Sequence, residues 1–450
     1  MPERTDVSMT NEDKRIKRKE NMVMVLSTIG QEYTFKTPDD IETLYLYRDG
    51  VYVPAETAVK ARIEEILGDD TDSHFVLEVL NHLKRRSYIP RDNVNNYGGF
   101  VPVENGLLNL ETLELVPHDP AKVFTFKIPT RFDKDAKCPK FKEFMSQVQP
   151  AADVRDLIQE YSGYCLLPAF SHHKFMVLSG SGRNGKGTFI RTLEGVLGQE
   201  NVAHVRLEYL DGTHRFAVAN LYGALLNVCS EPSTREPFQT EVLKMITGQD
   251  TIDAEIKNKQ KNLRFRSFAK FYVQANHLPE VNDTTLSFWD RVLMTTWEET
   301  FTDEKGNKTP DIERTWLDSE QERSGVLNWM IAGLKRLGEN GRFTETKSQS
   351  ETVLLWKQVS DPIGAFLSDP RECQHGPELE VTREDLYNRY KDYSETLEVP
   401  AESNRTFADR MRRQPGIKDE QARVGGKKAR IWKGIGLVKR PDDKSQTDLQ

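Results

Sequence analysis

The nine residues Gly180-Ser-Gly-Arg-Asn-Gly-Lys-Gly-Thr188 combine glycines, an amide and a lysine in a spacing suited to holding phosphate. Glycines let successive backbone N–H groups turn inward and cradle an anion. An apolar run, Phe175-Met-Val-Leu178, precedes them, and a helix-like stretch, Phe189 to Leu197, follows. Strand, glycine loop, lysine and helix together describe a phosphate-binding loop. The helix adds the positive end of its dipole. Lys186 would reach the β- and γ-phosphates of ATP or GTP. The expected nucleotide cradle is therefore Gly180, Ser181, Gly182, Arg183, Asn184, Gly185, Lys186, Gly187 and Thr188. The residue after such a lysine usually carries a hydroxyl for Mg²⁺. Here it is Gly187, with Thr188 one place later. Either Thr188 takes the metal role or water fills that place.

A nucleotide hydrolase also needs an acid at the end of a neighbouring strand, to serve Mg²⁺ or the attacking water. Leu225-Leu-Asn-Val-Cys-Ser-Glu231 supplies a single candidate, Glu231. The run Phe271-Tyr-Val-Gln-Ala-Asn276 ends in an amide able to bond the γ-phosphate or the water, although Asn is also common in turns. In Phe288-Trp-Asp-Arg291, Arg291 could neutralise a neighbouring subunit's γ-phosphate, or simply pair with Asp290.

These groups need a scaffold. Apolar runs at Phe175–Leu178, Ala224–Val228, Phe268–Val273 and Val292–Thr296 alternate with helical patterns. That predicts an α/β core on a parallel sheet covered on both faces. The chain of 450 residues has room for several domains. Residues 1–40 read as a charged tail or linker. Residues 41–170 read as a mostly helical N-terminal domain, with hairpins at 44–53 and 106–116. The core is expected over 171–338, and the polar stretch 338–350 reads as a linker. Helices over 353–367 and 381–397, followed by a basic hairpin tipped by Gly425-Gly426, suggest a winged helix over 351–440.

Composition narrows the class. With 37% hydrophobic and 30% charged residues and no long apolar run, no membrane span or secretory signal is expected. Cys138, Cys165, Cys229 and Cys373 stand far apart, which indicates neither a zinc site nor a disulfide framework. A cytoplasmic location fits. The net charge of −7 excludes a chain that is basic throughout, but not a local basic surface.

The order of these elements resembles the superfamily 3 helicases, and more closely the phage/plasmid and poxvirus-type primase-helicase branch. The resemblance rests on the glycine loop, Cys229-Ser-Glu231, Ala275-Asn-His-Leu-Pro279 and Phe288-Trp-Asp-Arg291. Further matches are Lys244-Met-Ile-Thr-Gly-Gln-Asp250, Ala254-Glu-Ile-Lys257, Asn105-Gly-Leu-Leu-Asn-Leu110, Pro117-His-Asp-Pro120 and Lys433-Gly-Ile-Gly-Leu437. It implies an AAA+ type P-loop ATPase core and a hexameric ring binding ATP between subunits, with single-stranded DNA in the channel. Lys186 would contact phosphates, Glu231 would serve metal and water, Asn276 would sense the γ-phosphate, and Arg291 would act in trans. Thr188 and Glu231 are the expected Mg²⁺ ligands.

The resemblance also places a DNA-contacting hairpin between acid and amide, where Lys257, Lys259, Lys261 and Arg264 lie, with Phe265 as a nearby aromatic. Arg410, Arg412, Arg413, Lys427, Lys428, Arg430 and Lys433 form a second basic region, expected to grip duplex. No carboxylate cluster for primer synthesis fits before residue 44. The expected function is an ATP-dependent replicative helicase of a phage, plasmid or mobile element, acting on forked DNA beside a separate primase, polymerase or initiator. The alternatives are a nucleotide-responsive initiator or regulator with weak hydrolysis, and a DNA-packaging or remodelling motor.

Overall fold

The computed structural model describes residues 10–440 except 211–212, 233–239, 256–261, 280, 282, 284, 303, 305, 308 and 398. They form two compact units. One comprises the described residues within 10–232, 240–277 and 291–346; the other comprises those within 278–290 and 347–440.

The chain enters the first unit through a helix, Asn11–Glu32, where a charged tail was expected. Thr10 and Asp13 cap it reciprocally. Its first turns are charged, but Met22, Val25, Leu26 and Ile29 follow at helical spacing. They pack against Val59 and Ile63 of helix Glu56–Leu67 and against Val79 and Leu83 of helix Ser73–Arg86. The region that follows is mixed rather than mostly helical. A four-stranded sheet has the order 51–54, 45–48, 35–38, 88–89, and a three-stranded sheet the order 100–103, 106–109, 115–116. The Asp49-Gly50 turn adopts positive φ at both residues, as a tight hairpin requires.

Beyond this lies the expected parallel sheet. Its strands in chain order are β1 (Phe175–Ser179), β2 (Val202–Ala203), β3 (Leu226–Ser230), β4 (Lys270–Ala275) and β5 (Val292–Thr296). They lie side by side as β5-β1-β4-β3-β2, every pair parallel. The central strands are buried along nearly their whole length, which explains their unbroken apolar runs. Helix Lys186–Leu197 follows β1 and buries Phe189, Ile190, Leu193 and Val196.

Helices Ala152–Tyr164 and Glu320–Asn340 pack closely. A side chain at Gly163 would strike the Met330 carbonyl oxygen, and one at Gly333 would strike that of Gln159, each within 2.2 Å. Buried Glu160 ties this pair to Arg336 at 2.7 Å and to the Thr344 backbone N–H at 2.7 Å. The stretch expected as a linker over 338–350 is short. One helix ends at Asn340 and the next begins at Lys347.

In the second unit, helices Lys347–Ser360 and Pro362–Ser368 replace the single helix expected over 353–367. Pro362 lacks the N–H that would continue the first and sits at the start of the second. Helices Arg383–Thr396 and Asn404–Arg412 pack on an antiparallel sheet ordered 373–382, 427–437, 418–424. Its core joins Phe366, Tyr390, Phe407, Met411 and Trp432. The expected hairpin turns at Gly425 and Gly426, both with positive φ. Among the described residues, no helix is long and apolar enough to cross a membrane. The four cysteines are buried and unpaired.

Candidate nucleotide site

The strand order puts the ends of β1, β4 and β3 next to one another. The glycine loop leaves β1, Asn276 leaves β4 and Glu231 leaves β3, all at the carboxyl edge of the sheet, where open α/β sheets bind ligands. Their side chains meet. The Lys186 ammonium donates to the Gly180 carbonyl oxygen at 2.6 Å and to the Asn276 amide oxygen at 3.3 Å. The Asn276 amide donates in turn to a Glu231 carboxylate oxygen at 2.6 Å. These three residues, which the sequence separates by 90 positions, line one cleft of about 410 Å³ with Gly182, Gly185, Gly187 and Thr188.

The loop is held from behind. The Asn184 amide donates to the Trp297 carbonyl oxygen at 2.9 Å, and the Phe301 N–H donates to the Arg183 carbonyl oxygen at 2.8 Å. Gly180 has no room for a side chain, since a Cβ there would lie 2.3 Å from the Trp297 carbonyl oxygen. Arg183 and Glu231 hold φ of 51° and 47° without being glycine. Such left-handed backbone costs energy and concentrates at sites where a side chain must be aimed.

Lys186 is only 5% exposed. Burial disfavours its charge and draws the ammonium down to about 8, against the opposing pull of Glu231.

Magnesium suits the donors present. Mg²⁺ prefers oxygen ligands, retains waters, and binds through one or two carboxylates together with substrate phosphates. The cleft offers the Glu231 carboxylate and the Thr188 hydroxyl. Among the described residues, no group of three or more His, Cys, Asp or Glu forms a metal cage.

Arg291 stands apart from this cleft. It immediately precedes β5, and its carbonyl oxygen accepts from the Phe175 N–H at the amino edge of the sheet, 2.9 Å away. A five-residue strand spans roughly 16 Å, so Arg291 lies at the opposite edge from the glycine loop. Its Nε donates to the Thr247 hydroxyl at 3.0 Å.

Of the expected DNA-binding residues, Lys257, Lys259 and Lys261 lie outside the described residues. Arg264 lies on strand Leu263–Phe265, which pairs antiparallel with Ile252–Ala254. Its guanidinium is largely exposed and 3.3 Å from Asp253. Phe265 is buried against Tyr222, with ring centroids 5.4 Å apart, so it offers no face to a base. In the second unit, Lys428 and Arg430 point to one face of their strand and Lys427 to the other, as alternation requires. Arg430 meets Asp419 at 3.2 Å, where Arg412 at 3.3 Å and Arg383 also converge.

The sequence reading missed Arg191, which lines the cleft beside Thr188. Its signal was helical spacing from Gly187 and Thr188, one turn along the same face.

Comparison with known proteins is consistent with this architecture. Residues 12–150 match a family described as D5 N terminal like, and residues 178–291 match a family of unknown function, DUF5906. "Putative helicase L207/L206" of Acanthamoeba polyphaga mimivirus is 27% identical over 207 residues, covering 44% of this chain. That match spans about a fifth of the relative's own length, 21%. The apo structure of the NrS-1 C-terminal region superposes with a TM-score of 0.51 at 11% identity, covering 93% of this chain and 100% of that one. Its A form gives 0.50 at 12% identity, covering 92% of this chain and 100% of the other. At these identities the two structures show a shared mixed α/β fold.

Proposed function

We propose that this protein is an ATP-dependent DNA helicase of the replicative kind, with an AAA+ type core and a winged-helix unit at 351–440. The observation that carries the reading is the convergence of Lys186, Asn276 and Glu231 on one cleft behind a glycine loop. That cleft accounts for nucleotide chemistry. The mimivirus relative and the D5 N-terminal-like match point to what the chemistry drives.

On this reading the loop N–H groups and the helix N-terminus hold the polyphosphate. Lys186 leaves the Gly180 carbonyl for the β- and γ-phosphate oxygens. Thr188 and Glu231 would hold Mg²⁺, which supplies neutralisation of phosphate charge. Glu231, aimed by Asn276, orients a water in line with the γ-phosphorus and takes its proton. The bond to the bridging oxygen breaks, giving ADP and phosphate. In its own chain Arg291 lies at the other edge of the sheet from that point, so it fits a finger supplied by the next subunit of the expected hexameric ring. Arg264 and the neighbouring lysines would track the strand backbone in the channel by charge, with strong salt dependence.

The test is ATP turnover and strand displacement on forked DNA. Wild type should hydrolyse ATP faster with single-stranded DNA and separate the fork. Lys186→Ala should lose both, turnover falling about a hundredfold or more. Turnover without displacement on any fork would retain the ATPase and discard the helicase. Nucleotide binding with negligible turnover, with or without DNA, would favour the initiator reading instead.

A further inference from the structure

The helix that follows the phosphate loop carries Gly187, Thr188 and Arg191 on one face. The Arg191 Nη2 donates to the Thr188 hydroxyl at 3.3 Å. Its Nε is paired with Glu313, a carboxylate that is only 6% exposed. The buried acid fixes the guanidinium at a particular place, the junction of two clefts. The first is the 410 Å³ cleft of Lys186, Asn276 and Glu231. The second, of about 720 Å³, has Phe144, Phe301 and Ile312 in its walls and shares Arg183, Gly185, Thr188 and Arg191 with the first.

Gly187 belongs to the same arrangement. A Cβ at this position would lie 3.2 Å from the Arg191 Nη1, closer than side chains ordinarily approach. Gly187 has no positive φ to explain its presence, so the space it leaves is the feature that distinguishes it from serine or threonine. The usual hydroxyl residue would require the guanidinium to give way by a few tenths of an ångström.

We propose that Arg191 is a nucleotide-binding residue acting in cis, contacting phosphate oxygens of a nucleoside triphosphate where the two clefts join, with Gly187 making room for it. The inference rests on the nucleotide-site reading above. Arginine suits the task because its planar fork meets phosphate oxygens in pairs, and Glu313 holds that fork ready. The triphosphate then runs from the Lys186 side past Arg191, and the nucleoside occupies the cleft walled by Phe144, Phe301 and Ile312.

The experiment measures binding of a fluorescent ATP analogue to the full chain, with tripolyphosphate as competitor, and thermal melting without nucleotide. Arg191→Ala should weaken ATP-analogue and tripolyphosphate binding alike, by about tenfold to a hundredfold, the worth of a charge-assisted hydrogen bond. Arg191→Lys keeps the charge but not the fork, and should lose part of that affinity while melting as wild type does. Gly187→Ser should weaken binding in the same direction. If Arg191→Ala and Arg191→Lys bind within twofold of wild type while Lys186→Ala does not bind, Arg191 is a structural ion pair and the proposal fails. A loss for the ATP analogue with tripolyphosphate unchanged overturns the phosphate contact. Undiminished binding by Lys186→Ala would instead overturn the underlying nucleotide site.

Discussion

At the scale of residues, the site is built from groups held in states they would not choose alone. Glu231 is in left-handed backbone, and Lys186 is buried between the Gly180 carbonyl oxygen and the Asn276 amide. The lysine's depressed value, about 8, has a readable consequence. Below pH 8 the ammonium is already charged and nucleotide binding needs no proton. Above pH 8 the free protein's lysine is neutral, and binding a polyphosphate must take up a proton. Affinity should therefore be level below pH 8 and fall with rising pH, up to about tenfold per unit. Calorimetry in buffers of different ionisation heat should show proton uptake at pH 9 and little at pH 7. Equal uptake at both would mean that Lys186 is not the group responsible.

At the scale of elements, β4 carries a second buried lysine. Lys270 begins the strand with no exposure, donating to the Leu167 carbonyl oxygen, its ammonium 4.6 Å from the Tyr164 ring centroid. Burial lowers its value to about 7. In the unfolded chain a lysine titrates near 10.4, about three units higher. The folded state is therefore penalised fully below pH 7, and the penalty is relieved as pH rises from 7 towards 10. Lys270→Met removes this term. The stability of Lys270→Met relative to wild type should be level below pH 7 and fall as pH rises from 7 to 9, by up to about 1.4 kcal/mol per unit. Denaturant unfolding at pH 6, 7.5 and 9 measures it; a pH-independent difference would contradict the assignment.

The elements also show why some were legible and others not. The core strands were readable because burial on both faces demands unbroken apolar runs, as in Phe175–Leu178. The 425–426 hairpin was readable because its glycines have to adopt positive φ. Helix Asn11–Glu32 was not, because its charged first half hides the apolar spacing of Val25, Leu26 and Ile29, and only the packing of helices 56–67 and 73–86 rewards that spacing. Pro362 is a local signal for a helix break, but the apolar period runs across it and hides it.

At the scale of the whole molecule, the role proposed for Arg291 requires assembly, because in its own chain it sits at the sheet edge opposite the cleft. Arg291→Ala should bind nucleotide as wild type does and hydrolyse it poorly. Mixed with Lys186→Ala subunits, it should regain turnover, since some interfaces then combine an intact Lys186 with an intact neighbouring Arg291. Steady-state turnover across mixing ratios tests this. No recovery at any ratio, from subunits shown to co-assemble, would make the arginine structural.

The sequence by itself determined the glycine loop between strand and helix, the parallel sheet and the candidates Lys186, Glu231, Asn276 and Arg291, because each depends on a local pattern of glycine, apolar run and terminal polar residue. Tertiary structure decided which of them meet. The order β5-β1-β4-β3-β2 brings residues 186, 231 and 276 to one cleft and sends 291 to the far edge. It also turned Gly187 from a departure in a motif into space beside Arg191. Strand order is set by packing across the whole core, and the place of the Arg191 guanidinium beside Gly187 is set by Glu313, 122 residues further along the chain, so no stretch of local sequence carries either.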